Sequence, residues 1–257
     1  MNDRQPLLLI HGFTDTARTW DPLVPLLAGE YDLIVPTLLG HRGGNPLPTP
    51  LGRPLDALVT DLERTLDGAG HHTAHIVGNS LGGWLAFELA ARGRARSVLA
   101  LSPGQGWEGD TVPQDVARRF ARTNRLAPLG SRMAETLAAR PGLRKIALRD
   151  VIAHPERVPP STAVELIRGA ADCPMYDPWV EAAMRGDFRS DLEPIDVPIR
   201  IAWGSRDRTL PFKTCSAHFR SALPAAEWVE LPDCGHLPQH DDPQLVARHA
   251  REVIASS

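Results

Sequence analysis

The chain has 257 residues, 42% of them hydrophobic and 23% charged, with a formal net charge of −3. This length and composition fit a soluble globular chain with one large α/β domain, with or without an insertion. The charge balance, with no long run of either sign, indicates neither a nucleic-acid-binding face nor a membrane-surface helix. The leading apolar run Leu7-Leu8-Leu9-Ile10 is too short for a signal-peptide core or a membrane span. The expectation is therefore a cytoplasmic protein, not inserted in a membrane, that is a monomer or a homodimer. Cys173, Cys215 and Cys234 are odd in number and scattered, without a C-x-x-C pair, and read as reduced thiols.

Leu7–Ile10 predicts the first strand, which runs into the loop His11-Gly12-Phe13-Thr14. An amphipathic segment follows over Thr19–Leu27, with Trp20, Leu23, Leu26 and Leu27 on one face. Tyr31–Val35 predicts a second strand, ended by Pro36, and the glycines around His41 mark a loop. Leu55, Leu58, Val59, Leu62 and Leu66 lie on one stripe and predict a helix over Pro54–Leu66. Ala74–Val77 and Ser97–Leu101 are short apolar runs of the kind that make buried strands, with helical spacing over Leu81–Ala91 between them. From Trp107 to Arg189 the chain carries only helical stretches: Gln114–Thr123, Ser131–Ala139, Leu143–Ala153, Thr162–Ala170 and Pro178–Met184. Strand patterns return at Pro198–Trp203 and Glu227–Leu231, and Asp242-Pro243 opens a last helix.

Strands alternating with helices predict a mostly parallel sheet flanked by helices. The strand-free block is too long for a crossover. It reads as an all-helical cap at 105–194, inserted between core segments 1–104 and 195–257, over the carboxyl ends of the strands where open α/β sheets bind ligands. An independent helical domain is the alternative.

Gly78 and Gly82 lie two residues either side of Ser80, at the junction of a predicted strand and helix. Bulkier residues there would collide with the strand and helix, which is the logic of a G-x-S-x-G nucleophile elbow. An elbow serine needs a base to take its proton and an acid to orient that base. Asp207 follows one late strand and His236 the last, and the order Ser80, Asp207, His236 is that expected when the three groups follow successive strands. Asp233 is a rival acid, with Asp187 and Asp191 weaker; His11, His41 and His240 are rival bases. The N–H groups of Leu81 and Phe13 are the expected oxyanion-hole donors. His11 reads as a structural hydrogen-bonder.

His11-Gly12-Phe13, Gly78-Asn79-Ser80-Leu81-Gly82-Gly83, Trp203-Gly204-Ser205-Arg206-Asp207 and Gly235-His236 together resemble the α/β-hydrolase superfamily over nearly all of the chain outside the cap. The resemblance implies a Ser–His–Asp triad with no metal and no organic cofactor. Two features depart from the family pattern. The antiparallel pair that usually starts the sheet looks missing or very short, and Leu39-Gly40-His41-Arg42-Gly43 replaces the Asp-containing Gly-His-Gly loop.

Ser80 argues against haloalkane dehalogenase and epoxide hydrolase chemistry, where relatives attack with aspartate. The expected function is hydrolysis of a small or medium carboxylic ester, a small-molecule substrate, through an acyl-enzyme. The Gly78-Asn79-Ser80 variant resembles elbows of meta-cleavage-product hydrolases, so carbon–carbon bond hydrolysis is the alternative; a ligand receptor on the same scaffold is a further one. Trp84, Trp107, Met175 and Trp179 are candidate pocket residues.

Overall fold

A computed structural model describes residues 4–109, 112–187 and 195–257. The rival acid Asp191 and the last residues of the expected cap, 188–194, lie outside them.

Six strands form one sheet: β1 Pro6–Ile10, β2 Asp32–Ile34, β3 Ala74–Asn79, β4 Ala95–Leu101, β5 Ile199–Gly204 and β6 Glu227–Leu231, in the order β2-β1-β3-β4-β5-β6 with every pairing parallel. Parallel strands are covered on both faces, which is why β1 is apolar at every position. Its side chains alternate. Leu8 and Ile10 join Ile76, Val98 and Ile201 against the helices Pro54–Gly68 and Leu81–Ala91. Leu7 and Leu9 join Val77, Leu99 and Leu101 on the opposite face, against Trp20 and the helix Pro243–Ile254. Asp242 caps that last helix by accepting the Leu245 N–H at 2.9 Å.

The sheet order reverses beside β1: the chain steps outward to β2, then returns to β3 on the other side of β1. At such a switch point the loops leaving neighbouring strands diverge and open a crevice at the carboxyl ends. The loop after β1 and the elbow after β3 flank it.

Between β4 and β5 the described chain is helical, as expected, but the bounds move. The helix at Gln114 runs to Arg132, past the expected end at Thr123 and through Pro128. Asn124, Pro128 and Gly130 are weak helix formers, yet the helix continues because Val116 and Ala127 pack on one side of it. The helices Ala134–Ala139, Pro141–Leu148, Pro160–Gly169 and Tyr176–Arg185 follow. Ala134, Ala138, Leu148, Ile152, Ala163 and Ile167 give this segment a small core of its own, closed by Leu237 from the loop after β6. The expected single amphipathic run Thr19–Leu27 is instead two short turns, Ala17–Trp20 and Val24–Leu27, with Pro25 in the first turn of the second. Among the described residues no helix is long and apolar enough to cross a membrane.

Candidate active site

Ser80 lies between the last residue of β3 and the first of the helix Leu81–Ala91, with φ 55° and ψ −116°. A side chain at positive φ is strained, and the surroundings hold it there. The Ser80 N–H donates to Leu101 O, and its carbonyl accepts from Gly83 and Gly104, all between 2.9 and 3.0 Å. The glycines are compulsory for packing. A methyl group on Gly78 would stand 2.1 Å from Gly82 O, and one on Gly82 would stand 2.1 Å from Ile10 O.

Asn79 is fully buried. Its Nδ2 donates to Leu101 O at 3.1 Å and to His236 O at 2.9 Å. The residue before the elbow serine thus ties the backbone of His236 to the turn. The His236 ring has Nδ1 2.8 Å from Asp207 Oδ2, with side chains only 6% and 1% exposed. A carboxylate can only accept, so Nδ1 carries the proton and Nε2 is left as the free lone pair. Asp207 Oδ1 accepts from the N–H groups of Thr209 and Leu210, each at 2.8 Å. Both carboxylate oxygens are committed, which fixes the plane of the imidazole.

On the other side of the elbow, a methyl group on Gly12 would lie 3.2 Å from Ser80 Cβ, so the loop after β1 runs directly beside the serine. Phe13 is the next residue. Leu81, as the first helical residue, has an N–H without an intrahelical acceptor, at the positive end of the helix dipole.

His11 accepts the Leu38 N–H at Nε2 (2.9 Å) and donates from Nδ1 to Gly12 O (2.8 Å). Burial pushes its pKa well below the ordinary value, so it stays neutral and ties two loops together. His41 and His240 are each lowered to about 4, in both cases by burial. His41 Nδ1 donates to Leu39 O at 3.1 Å, and His240 Nε2 faces Thr19 Oγ1 at 3.0 Å. Asp233 points away from His236, to His154 (2.7 Å) and Arg206 (2.7 Å). Asp187 pairs with Arg185 at 2.8 Å, at the end of a helical segment.

The aromatic residues converge. Phe13 stacks on Tyr176 with ring centroids 5.7 Å apart and tilts against Trp179 at 5.7 Å and Phe120 at 6.2 Å. Trp179 meets Trp84 edge-on at 5.8 Å. Trp84 is 2% exposed and donates from Nε1 to Glu88 at 3.0 Å, so most of it is core. Met175 is fully buried, its N–H donating to Gly40 O at 2.9 Å. Trp107 packs on the same cluster. Tyr176 and Phe120 were not singled out from sequence; both lie on helices whose registration against Phe13 has no local signal.

One buried carboxyl group was also missed. Asp15 follows Thr14, is 8% exposed, and accepts the Thr16 N–H at Oδ1 (2.8 Å), while its Oδ2 is buried without a hydrogen-bond partner among the described residues. Burial, partly offset by the Thr16 hydrogen bond and by the nearby His236, pushes it up to about 6.

Comparison with known proteins places the fold in a family. An epoxide hydrolase of Mycobacterium tuberculosis is 35% identical over 201 residues, covering 77% of this chain and 92% of that protein. The 2-hydroxy-6-oxo-6-phenylhexa-2,4-dienoate hydrolase of a Rhodococcus species superposes with TM-score 0.70 at 20% identity, covering 98% of this chain and 91% of the other. A thermophilic esterase of Thermogutta terrifontis superposes with TM-score 0.63 at 23% identity, covering 98% and 90%. The model of the alpha/beta hydrolase family matches residues 7–249. The chain is a hydrolase and belongs to the alpha/beta hydrolase family.

Proposed function

We propose that Ser80, His236 and Asp207 form a serine-hydrolase triad that cleaves a carboxylic ester of small or medium acyl length. The observation that carries this reading is the buried 2.8 Å bond between His236 Nδ1 and Asp207, which leaves Nε2 as the nitrogen available to accept a proton. His236 takes the proton of Ser80 as Oγ attacks the ester carbonyl. The tetrahedral oxyanion receives hydrogen bonds from the N–H groups of Leu81 and Phe13. His236 then gives its proton to the departing alcohol, and water, activated by the same imidazole, releases the acid. Residues 105–194 act as a cap, and Trp179 with Tyr176 and Phe13 lines the acyl site; Trp84, Trp107 and Met175 support it from behind.

Ser80 also bears on the epoxide chemistry that the 35% identical relative's name carries. Attack of an aspartate on an epoxide gives an ester, which the same site can hydrolyse. Attack of a serine gives an alkyl ether, which it cannot. Acyl transfer is the chemistry that a serine nucleophile can complete. The Gly78-Asn79-Ser80 elbow keeps carbon–carbon hydrolysis of a vinylogous diketone as the second reading, because the same groups serve it.

Turnover of p-nitrophenyl esters of increasing acyl length, with native protein and Ser80→Ala, tests the proposal. Many turnovers by the native protein and none by the variant are expected. Turnover of a dienone in place of every ester selects the second reading. Reaction once per site with no turnover points to a ligand receptor. Trp179→Ala is expected to alter the chain-length profile more than the rate on the shortest ester.

A further inference from the structure

The helix Gln114–Arg132 buries Val116 and Ala127 and turns its other side to solvent. On that side Leu126 and Leu129 are 55% and 58% exposed, and Met133, just past the helix end, is 41% exposed. A spacing of three and then four residues stacks these side chains in one stripe. Arg122, Arg125 and Arg132 border the stripe. Between Gln114 and Arg149 nine basic residues stand against only Asp115 and Glu135, although the whole chain carries −3. The average hides a strongly positive segment.

Some of this charge is used internally: Arg122 pairs with Asp150 at 2.5 Å and Arg119 with Asp115 at 3.7 Å. Among the described residues Arg125 and Arg132 have no acidic partner. On the helix Pro141–Leu148 one further large apolar side chain, Ile146, is 66% exposed beside Lys145.

Leucine and methionine held in water are unfavourable, and arginines beside them select what covers them. A second copy of the same face would bring unpaired arginines together. A nucleic acid would use the arginines and leave the leucines uncovered. A lipid surface rich in anionic headgroups uses both, with apolar side chains at the acyl boundary and guanidinium groups on the phosphates. We propose that the outer face of the helix Gln114–Arg132 docks the protein onto an anionic lipid surface through Leu126, Leu129 and Met133, flanked by Arg125 and Arg132. This proposal does not depend on which bond the enzyme cleaves.

The test is co-sedimentation of the full chain with vesicles of equal parts phosphatidylglycerol and phosphatidylcholine, and with phosphatidylcholine alone. Partition into the anionic vesicles is expected, reversed for the most part by about 0.5 M salt. Arg125→Gln and Arg132→Gln should each weaken it about fivefold, and the pair Leu126→Ser, Leu129→Ser should weaken it at least as much. Unchanged thermal melting of these variants establishes that they remain folded. Absence of partition, equal partition into neutral vesicles, or variants that bind like the native protein would overturn the proposal. So would tighter binding to duplex DNA that survives the serine substitutions, or a vesicle-independent dimer that they abolish.

Discussion

Gly82 and Gly142 are each the second residue of a helix, the first at the elbow and the second in the segment between β4 and β5. A methyl group on Gly82 would collide with Ile10 O at 2.1 Å, whereas one on Gly142 would meet nothing within 4 Å. The difference lies in what surrounds the two helices. The elbow helix is buried nearly all round, wedged against β1 and β3, so its backbone must come within contact of strand carbonyls. The helix Pro141–Leu148 touches the protein on one side only. The same residue type is thus a packing requirement in one region and an entropic cost in the other. Precision is concentrated at the sheet edge, where backbone, glycine and buried side chains hold one another, while the outer helices are free to carry surface chemistry.

Four substitutions sharpen this contrast. The largest effect is expected for Asp207→Asn, which leaves the volume intact but lets the side chain donate to the wrong imidazole tautomer; kcat should fall on the order of 10⁴-fold, with an unchanged melting temperature. An active Asp207→Asn variant would remove this residue from the triad. Gly82→Ala should cost about 3 kcal/mol in urea unfolding, because the clash is with backbone and cannot be relieved by a rotamer change. A native-like midpoint would mean that the strand and helix can separate.

Asp15→Asn tests the loop that joins the two regions, at pH 4 and at pH 8. The folded state raises the carboxyl from its ordinary 3.8 to about 6, so it holds the proton more tightly than the unfolded chain does. Its contribution is fully present below the unfolded value and is lost as pH rises through about 6, a difference of about 3 kcal/mol. Asparagine never ionises and keeps the oxygen that accepts from Thr16. The variant should therefore match the native protein at pH 4 and exceed it at pH 8 by up to about 3 kcal/mol. Equal melting temperatures at both pH values would show that water reaches the carboxylate. The smallest effect is Gly142→Ala, expected to stabilise by about 0.5–1 kcal/mol with no change in activity.

Much of the sheet was legible because each buried strand had to be apolar on both faces. The edge strand Glu227–Leu231, with its two glutamates exposed, still has its expected bounds, as does the helix Leu81–Ala91. The long helix to Arg132 was not, since Pro128 and Gly130 argue locally for a stop and only the packing of Ala127 against the rest of the fold argues for continuation. At the site, Ser80 could be singled out because the elbow needs its glycines within two residues on either side. His236 and Asp207 could be paired only through their places after late strands, and their 2.8 Å bond is a fact of the folded sheet. Asn79 was visible as a variant of the elbow, but its bond to His236 O spans 157 residues. No local pattern carries such a contact.

The sequence by itself determined the alternation of strands and helices, the elbow and the order of its candidate partners, because these follow from periodicity, steric room and chain order. Tertiary structure decided that His11 is consumed in joining two loops, that Asp233 turns to His154 and Arg206, that Asp15 is buried beside the site, and which side of the helix Gln114–Arg132 remains uncovered. Burial and partner choice are set by segments far apart in the chain, and they come into being only when those segments meet.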